Sequence, residues 1–333
     1  MSGSNRKLKF SLAINEAIRQ AMETDPSVFL IGQGVKSPWY VGNTCNGLVE
    51  QFGENRVIDT PVSENAITGT AVGAAIAGMK AIVVHPRMDF ALYAFDPIIN
   101  QASNWHYMSG GHSHVPVVFW LIINRGGSQG AQHSQALHAL FAHVPGLKVV
   151  APSTAYDAKG LMMAAINDPN PVVFIDDRWL YSREEEVPQE IYEVPIGKGY
   201  LRRPGKDVTL VSFSYMAAES EKAATMLAAQ GIDVEFIDIR TIKPLDGMMI
   251  LESVKKTGKL VIAEGAWKFN GVAAEIAAMV AEKGFQWLKA PIQRVSLPDA
   301  PAPAAKSLEM VYYPGTNQII EAVKIMSQRS KGI

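Results

Sequence analysis

The chain has 333 residues, 48% of them hydrophobic and 19% charged, a balance that fits a soluble globular protein able to bury two cores without a disulfide or metal staple. Its 31 basic and 32 acidic residues leave a formal charge of −1, with no excess for nucleic acid and no polybasic run for a membrane surface. Cys45 is its only cysteine, which excludes an internal disulfide and a cysteine-built metal cluster and leads us to expect a reducing, cytoplasmic setting.

Met1 to Lys9 is polar and lacks the apolar run of a signal peptide. Leu12, Ile14, Ala17, Ile18 and Met22 make one face of a first helix, which Asp25-Pro26 ends. Val28 to Ile31 reads as a buried strand. The stretch from Ala66 to Val84 is about as long as a membrane span. It is rich in Gly and Ala, carries Lys80 and runs into Ala81-Ile82-Val83-Val84, so it predicts a tightly packed helix followed by a buried strand. Further strands are predicted at Ile82 to Val84, Val117 to Ile123, Val149-Val150 and Val172 to Ile175, with helices near 64–79, 91–108, 134–142 and 155–167. Residues 184–206 hold three consecutive glutamates, Pro188, Pro195 and Arg202-Arg203-Pro204-Gly205-Lys206, and read as a linker or irregular connection. The alternation then restarts with a strand from Val208 to Phe213 and a helix from Ala217 to Gln230 closed by Gly231. Strands follow at Val234 to Ile239, Leu260 to Ala263 and Ile292 to Val295. Such alternation predicts an α/β fold with mainly parallel sheets in two domains joined near residue 200.

Open α/β sheets bind ligands at the carboxyl ends of their strands, and polar residues stand there in three places. In Thr60-Pro61-Val62-Ser63-Glu64-Asn65-Ala66, Glu64 opens the Gly/Ala-rich helix and Ser63 is placed to cap it. Glu64 there can equally just complement the helix dipole. In His85-Pro86-Arg87-Met88-Asp89-Phe90, a histidine and an arginine beside an acid could hold an anion or form an ordinary surface ion pair. In Arg125 to Gln135, glycines allow a close backbone approach and His133 can work as acid or base near neutral pH. His138 and His143 follow at helical spacing and read as packing or capping residues. No P-loop, G-x-S-x-G elbow or H-E-x-x-H motif is present.

At these residues the sequence resembles the beta subunit of the decarboxylating, thiamine-diphosphate-dependent component of 2-oxo acid dehydrogenase complexes, of the pyruvate, branched-chain and acetoin type. The match runs from about residue 7 to 327. It is carried by Arg56-Val57-Ile58-Asp59-Thr60-Pro61 leading to Glu64, by Tyr107-Met108-Ser109-Gly110-Gly111 and by Gly130-Ala131-Gln132-His133-Ser134-Gln135. Pro145-Gly146-Leu147-Lys148-Val149-Val150 and Asp238-Ile239-Arg240-Thr241-Ile242-Lys243-Pro244-Leu245-Asp246 complete it. The resemblance implies two transketolase-like domains, a pyrimidine-binding domain over 7–190 and a transketolase C-terminal domain over 207–327, with a linker over 191–206. It makes Glu64 the carboxylate that hydrogen-bonds the cofactor's aminopyrimidine, Phe90 the aromatic that packs on that ring, Tyr93 a further cofactor-binding position, and His133 the catalytic histidine of the substrate channel.

The family's metal signature begins Gly-Asp-Gly, which this chain lacks. The resemblance therefore implies an alpha subunit that holds Mg²⁺ and the diphosphate in an α2β2 assembly, with a lipoyl acyltransferase as a further partner. Two alternatives stay open beside the dehydrogenase: a split carboligase or transketolase-like enzyme with an aldehyde or sugar acceptor, and a non-catalytic partner of an alpha subunit. The first draws on departures from the family pattern. Val84-His85-Pro86-Arg87-Met88 replaces an acidic residue followed by apolar ones, and Trp120-Leu121-Ile122-Ile123 stays apolar where many relatives have Arg and Pro. His85 and Arg87 are accordingly candidate substrate residues for a carboxylate or phosphate.

Overall fold

The computed structural model describes residues 6–328. Met1–Asn5, part of the polar start read above, lie outside the described residues. The described residues separate into two compact units, one of residues 6–125 and 132–196, the other of 126–131 and 197–328.

The first unit opens with β1 (Lys7–Lys9), α1 (Phe10–Thr24), β2 (Val28–Gly32), α2 (Leu48–Phe52), β3 (Val57–Asp59), α3 (Glu64–Ile76) and β4 (Lys80–His85). A 3₁₀ stretch (Met88–Ala94) and a π-helical stretch (Asp96–Ala102) lead into α4 (Ser103–Met108). Then come β5 (Val117–Ile123), α5 (His138–His143), β6 (Lys148–Val150), α6 (Ala155–Asn167), β7 (Val172–Asp177) and β8 (Glu184–Glu186). Its sheet runs β6-β7-β5-β4-β2-β3 with every pairing parallel. Every residue of β2, β5 and β7 is buried, as interior strands of a parallel sheet are, including Asp176 and Asp177 at the end of β7. Two buried charges are paired. Lys159 Nζ meets Glu16 at 2.6 Å and the carbonyls of Pro188, Gln189 and Glu190 at 2.7, 3.1 and 2.9 Å. Arg125 Nε, two residues beyond β5, meets Oδ2 of Asp177, the last residue of β7, at 2.5 Å.

The second unit contains β9 (Tyr200–Arg203), β10 (Val208–Ser212), α7 (Ser214–Ala228), β11 (Val234–Asp238), β12 (Thr241–Lys243), α8 (Gly247–Thr257), β13 (Leu260–Trp267), α9 (Val272–Gly284), β14 (Gln293–Leu297), α10 (Lys306–Tyr312) and α11 (Thr316–Gln328). Its sheet is β14-β13-β10-β11-β9, parallel except for β9. Helices α7 and α11 pack on it around a core that includes Leu210, Phe236, Val261, Leu227 and Ile319.

The α/β expectation holds, and three local expectations do not. Residues 184–206 are not simply irregular: β8 pairs antiparallel with β1, setting Lys7 opposite Glu186 and Lys9 opposite Glu184, a charge-matched register. Strand β9 forms the edge of the second sheet, with Arg202 Nη2 at 3.0 Å from Asp238 Oδ2. Polar strands at an edge give no apolar pattern to read. The helix expected over 134–142 starts only at His138. The backbone amides of Gln135 and Leu137 donate to Asp89 Oδ1 and Met88 Sδ, at 3.1 and 3.4 Å, and Leu137 has φ of −98° and ψ of 27°, outside the helix. The helix expected over 91–108 is broken into 3₁₀, π and α turns, with Pro97 in the first turn of the π segment.

Candidate functional site

The candidate residues of the first unit stand where β3, β4 and β5 end. Helix α3 begins at Glu64, shortly after β3 ends at Asp59. Ser63 precedes it with extended φ and no side-chain capping bond, so the expected cap is not made. The Glu64 carboxylate stands half-buried in the first turn, at the positive end of the helix dipole. Helix α3 packs against β4 and the 3₁₀ stretch that carries Phe90. Phe90 and His133 meet edge to face, centroids 5.2 Å apart at 87°, the preferred geometry for such a pair. Both rings are partly open. Tyr93 is 76% exposed, and 3₁₀ spacing sets it on the same edge as Phe90. The structure brings Phe90 and His133 into contact and leaves Tyr93 facing outward.

Asp89 anchors this arrangement. Its Oδ1 accepts the Gln135 amide, two residues beyond His133, while Oδ2 is buried without a partner. Burial pushes the Asp89 carboxyl up from its ordinary value. Ser134 Oγ, Thr60 Oγ1 and Gln33 Oε1 are also buried without partners. Buried polar atoms are nearly always satisfied in folded proteins. Several unsatisfied ones lie in the loops that follow neighbouring strands, the end of an α/β sheet at which ligands bind.

His85 is a correction. Its ring is 3% exposed and its Nε2 lies 3.1 Å from Thr68 Oγ1 of α3. Burial pulls its pKa down to about 4, so it is a neutral, inward-facing ring rather than a cationic substrate contact. A histidine whose folded pKa is depressed adds stability above its unfolded value that is lost as pH falls toward the folded one. Between pH 6.5 and about 4 the chain is therefore expected to lose stability, up to about 3 kcal/mol from this residue. His85→Gln should flatten the acid limb in urea melts at pH 7 and pH 4.5. An identical limb in the variant would show that the ring titrates freely.

Arg87 is half-buried, with Nη1 donating to the Pro86 carbonyl at 3.0 Å and its guanidinium 5.8 Å from the Tyr40 ring centroid. Burial and then the charge of Arg178 lower its pKa. Tyr40, Gln33 and Arg178 escaped the sequence reading. Arg178 follows the apolar strand β7 as Arg87 follows β4, so the strand-end criterion alone could have found it. The glycine loop proves partly structural. Gly126, Gly127 and Ser128 have φ of +68°, +65° and +61°, and the Ser128 amide donates to both carboxylate oxygens of Glu309, at 3.0 and 3.2 Å. His138 is buried, as a packing residue should be. Among the described residues no three or more His, Cys, Asp or Glu side chains group to hold a metal, and no helix is long and apolar enough to cross a membrane.

Residues 6–183 match the family described as "Transketolase, pyrimidine binding domain", and residues 197–319 match "Transketolase, C-terminal domain". The chain is 46% identical to the "Pyruvate dehydrogenase E1 component subunit beta" of Rickettsia felis, over 94% of this chain and 97% of that protein. It is 44% identical to the "Acetoin:2,6-dichlorophenolindophenol oxidoreductase subunit beta" of Cupriavidus necator, over 96% of this chain and 97% of that protein. A solved structure titled "Split gene transketolase, inactive beta4 tetramer" superposes with a TM-score of 0.78 at 22% identity, covering 96% of this chain and 98% of that one, a likeness of fold.

Proposed function

The chain belongs to the transketolase-like family of E1 beta subunits, and from that premise we propose that it is the beta subunit of a thiamine-diphosphate-dependent 2-oxo acid dehydrogenase, active only with an alpha subunit in an α2β2 assembly. The observation that carries this is the contact of Phe90 with His133, beside buried Asp89 Oδ2 and Ser134 Oγ that lack partners. A flat, polar heterocycle fits such a surface. Phe90 offers it a ring to pack on, and Tyr93 would close over it in the assembly. Glu64 would bond a ring nitrogen of the aminopyrimidine and share a proton there. His133, fixed by the Phe90 edge and by the Asp89 bond to Gln135, would move protons in the substrate channel. When bound, thiamine diphosphate supplies the electron sink for decarboxylation.

The diphosphate needs a hard cation with oxygen ligands. This chain has no Gly-Asp-Gly sequence, so Mg²⁺ is assigned to the alpha subunit. Delivery to a lipoyl acyltransferase and a cytoplasmic setting complete the proposal. One observation favours a second reading, the split carboligase: Arg87 stands where the family pattern is apolar. Assay of the reconstituted α/β pair with a 2-oxo acid, offered a lipoyl domain or an aldehyde, separates the two. Acylation of the lipoyl domain is expected. Carbon–carbon bond formation without lipoyl acylation would transfer the assignment to the carboligase.

A further inference from the structure

The strand ends of the first unit carry a second cluster that the steps above do not use. Gln33 follows β2, Arg87 follows β4 and Arg178 follows β7. Tyr40 ties them together. Its hydroxyl accepts from Gln33 Nε2 at 3.0 Å, its carbonyl accepts from Arg178 Nη2, and its ring faces the Arg87 guanidinium at 5.8 Å. The Tyr40 ring lies where a Cβ on Gly34 would be, and Gly34 has φ of +72°. Residue 34 must therefore be glycine for the tyrosine to take this position.

Two guanidinium groups are thus held on one aromatic residue. Among the described residues neither Arg87 nor Arg178 forms a salt bridge, and the Nε of each is buried without an acceptor. No nearby carboxylate forms a salt bridge with either group. Asp177 is taken by Arg125, Asp89 Oδ1 accepts the Gln135 amide and Asp176 Oδ2 the Tyr181 hydroxyl at 2.9 Å, while Asp89 Oδ2 and Asp176 Oδ1 lack a hydrogen-bond partner. Burial also pushes the Asp176 carboxyl up to about 7, which weakens it further as a counter-ion. Like charges brought together out of water are costly unless an anion compensates them. Arginine forks match the paired oxygens of carboxylate and phosphate.

We propose that Arg87 and Arg178, braced by Tyr40 and Gln33, bind a second anionic group of the substrate, a carboxylate or phosphate remote from the reacting 2-oxo acid. That substrate class rests on the dehydrogenase assignment, whereas the anion site itself does not. It makes the preferred donor a 2-oxo dicarboxylic acid or a phosphorylated 2-oxo acid.

The test uses the assembled α/β enzyme and two probes, succinate and inorganic phosphate, titrated by calorimetry into wild type, Arg87→Gln, Arg178→Gln and the double variant. Each single change is expected to weaken binding by about tenfold to a hundredfold, the range for losing a charged hydrogen bond. The tighter probe names the group. Arg87→Gln leaves the Arg178 bond to Tyr40 in place, so it separates loss of charge from disturbance of the segment. In parallel, the kcat/KM ratio of 2-oxoglutarate to 2-oxobutanoate should fall by a similar factor in each variant. Equal titrations in wild type and the double variant would overturn the anion site, even if plain 2-oxo acids are decarboxylated. Binding that depends on both arginines, with no 2-oxo acid decarboxylated, would keep the site and remove the dehydrogenase assignment.

Discussion

Replacing Glu64 with glutamine is expected to lower turnover of the assembled enzyme by about a hundredfold to ten-thousandfold, the usual worth of a positioned proton-transfer group. The alternative role can be bounded. As a carboxylate in the first turn of α3, Glu64 complements the helix dipole, which is worth about 0.3–1 kcal/mol. Even if all of that were lost from the folded state, about 1 kcal/mol is only about a fivefold change in an equilibrium. A fall of two orders of magnitude with unchanged melting and intact subunit association therefore cannot come from the helix. Glutamine keeps the size and an acceptor oxygen and removes the ionisable carboxyl group. Turnover within fivefold of wild type would move Glu64 back to a structural role and revive the non-catalytic partner as a description of this chain.

The second large effect concerns the isolated chain, which is expected to give no measurable turnover with any 2-oxo acid, thiamine diphosphate and Mg²⁺. The reason lies in its donors. The first unit offers an aromatic face, a half-buried glutamate and several unsatisfied polar atoms. Among the described residues no acidic or histidine group gathers to hold a divalent cation. Two adjacent phosphates without a cation stay in water, and the ring they carry is bound too weakly to be positioned. Adding the alpha subunit should raise turnover from background to the range of about 1–10³ s⁻¹ typical of enzymes, and chelation of Mg²⁺ should abolish it. Turnover by the isolated chain at a rate near that of the assembly would contradict the split site.

Much of this architecture was legible because buried parallel strands are written as apolar runs. Val117 to Ile123 was read to the residue, and Val208 to Phe213 within one residue of β10. The polar strands Glu184–Glu186 and Tyr200–Arg203 were not, because edge pairing draws on backbone and charge rather than on hydrophobic period. Helices α9 and α11 went unmarked although they cover the second sheet. At the site, local pattern alone placed Glu64 and Phe90 at strand ends but could not choose among the polar residues there. The meeting of Phe90 with His133 joins positions 43 residues apart, a distance no local pattern spans. His85 was misjudged for the complementary reason. A histidine after an apolar strand can turn outward or inward, and only the packing of α3 over it, with Thr68 in reach of Nε2, decides.

The most direct measurement is equilibrium binding of thiamine diphosphate with Mg²⁺ to this chain, to the alpha subunit and to their mixture, each followed by calorimetry. The mixture is expected to bind about one cofactor per α/β pair, at least a hundredfold more tightly than either subunit alone, with Phe90→Ala in this chain weakening the mixture about tenfold or more. Binding by the alpha subunit alone that equals the mixture, unmoved by Phe90→Ala, would contradict the claim that this chain supplies the ring-binding half of the site.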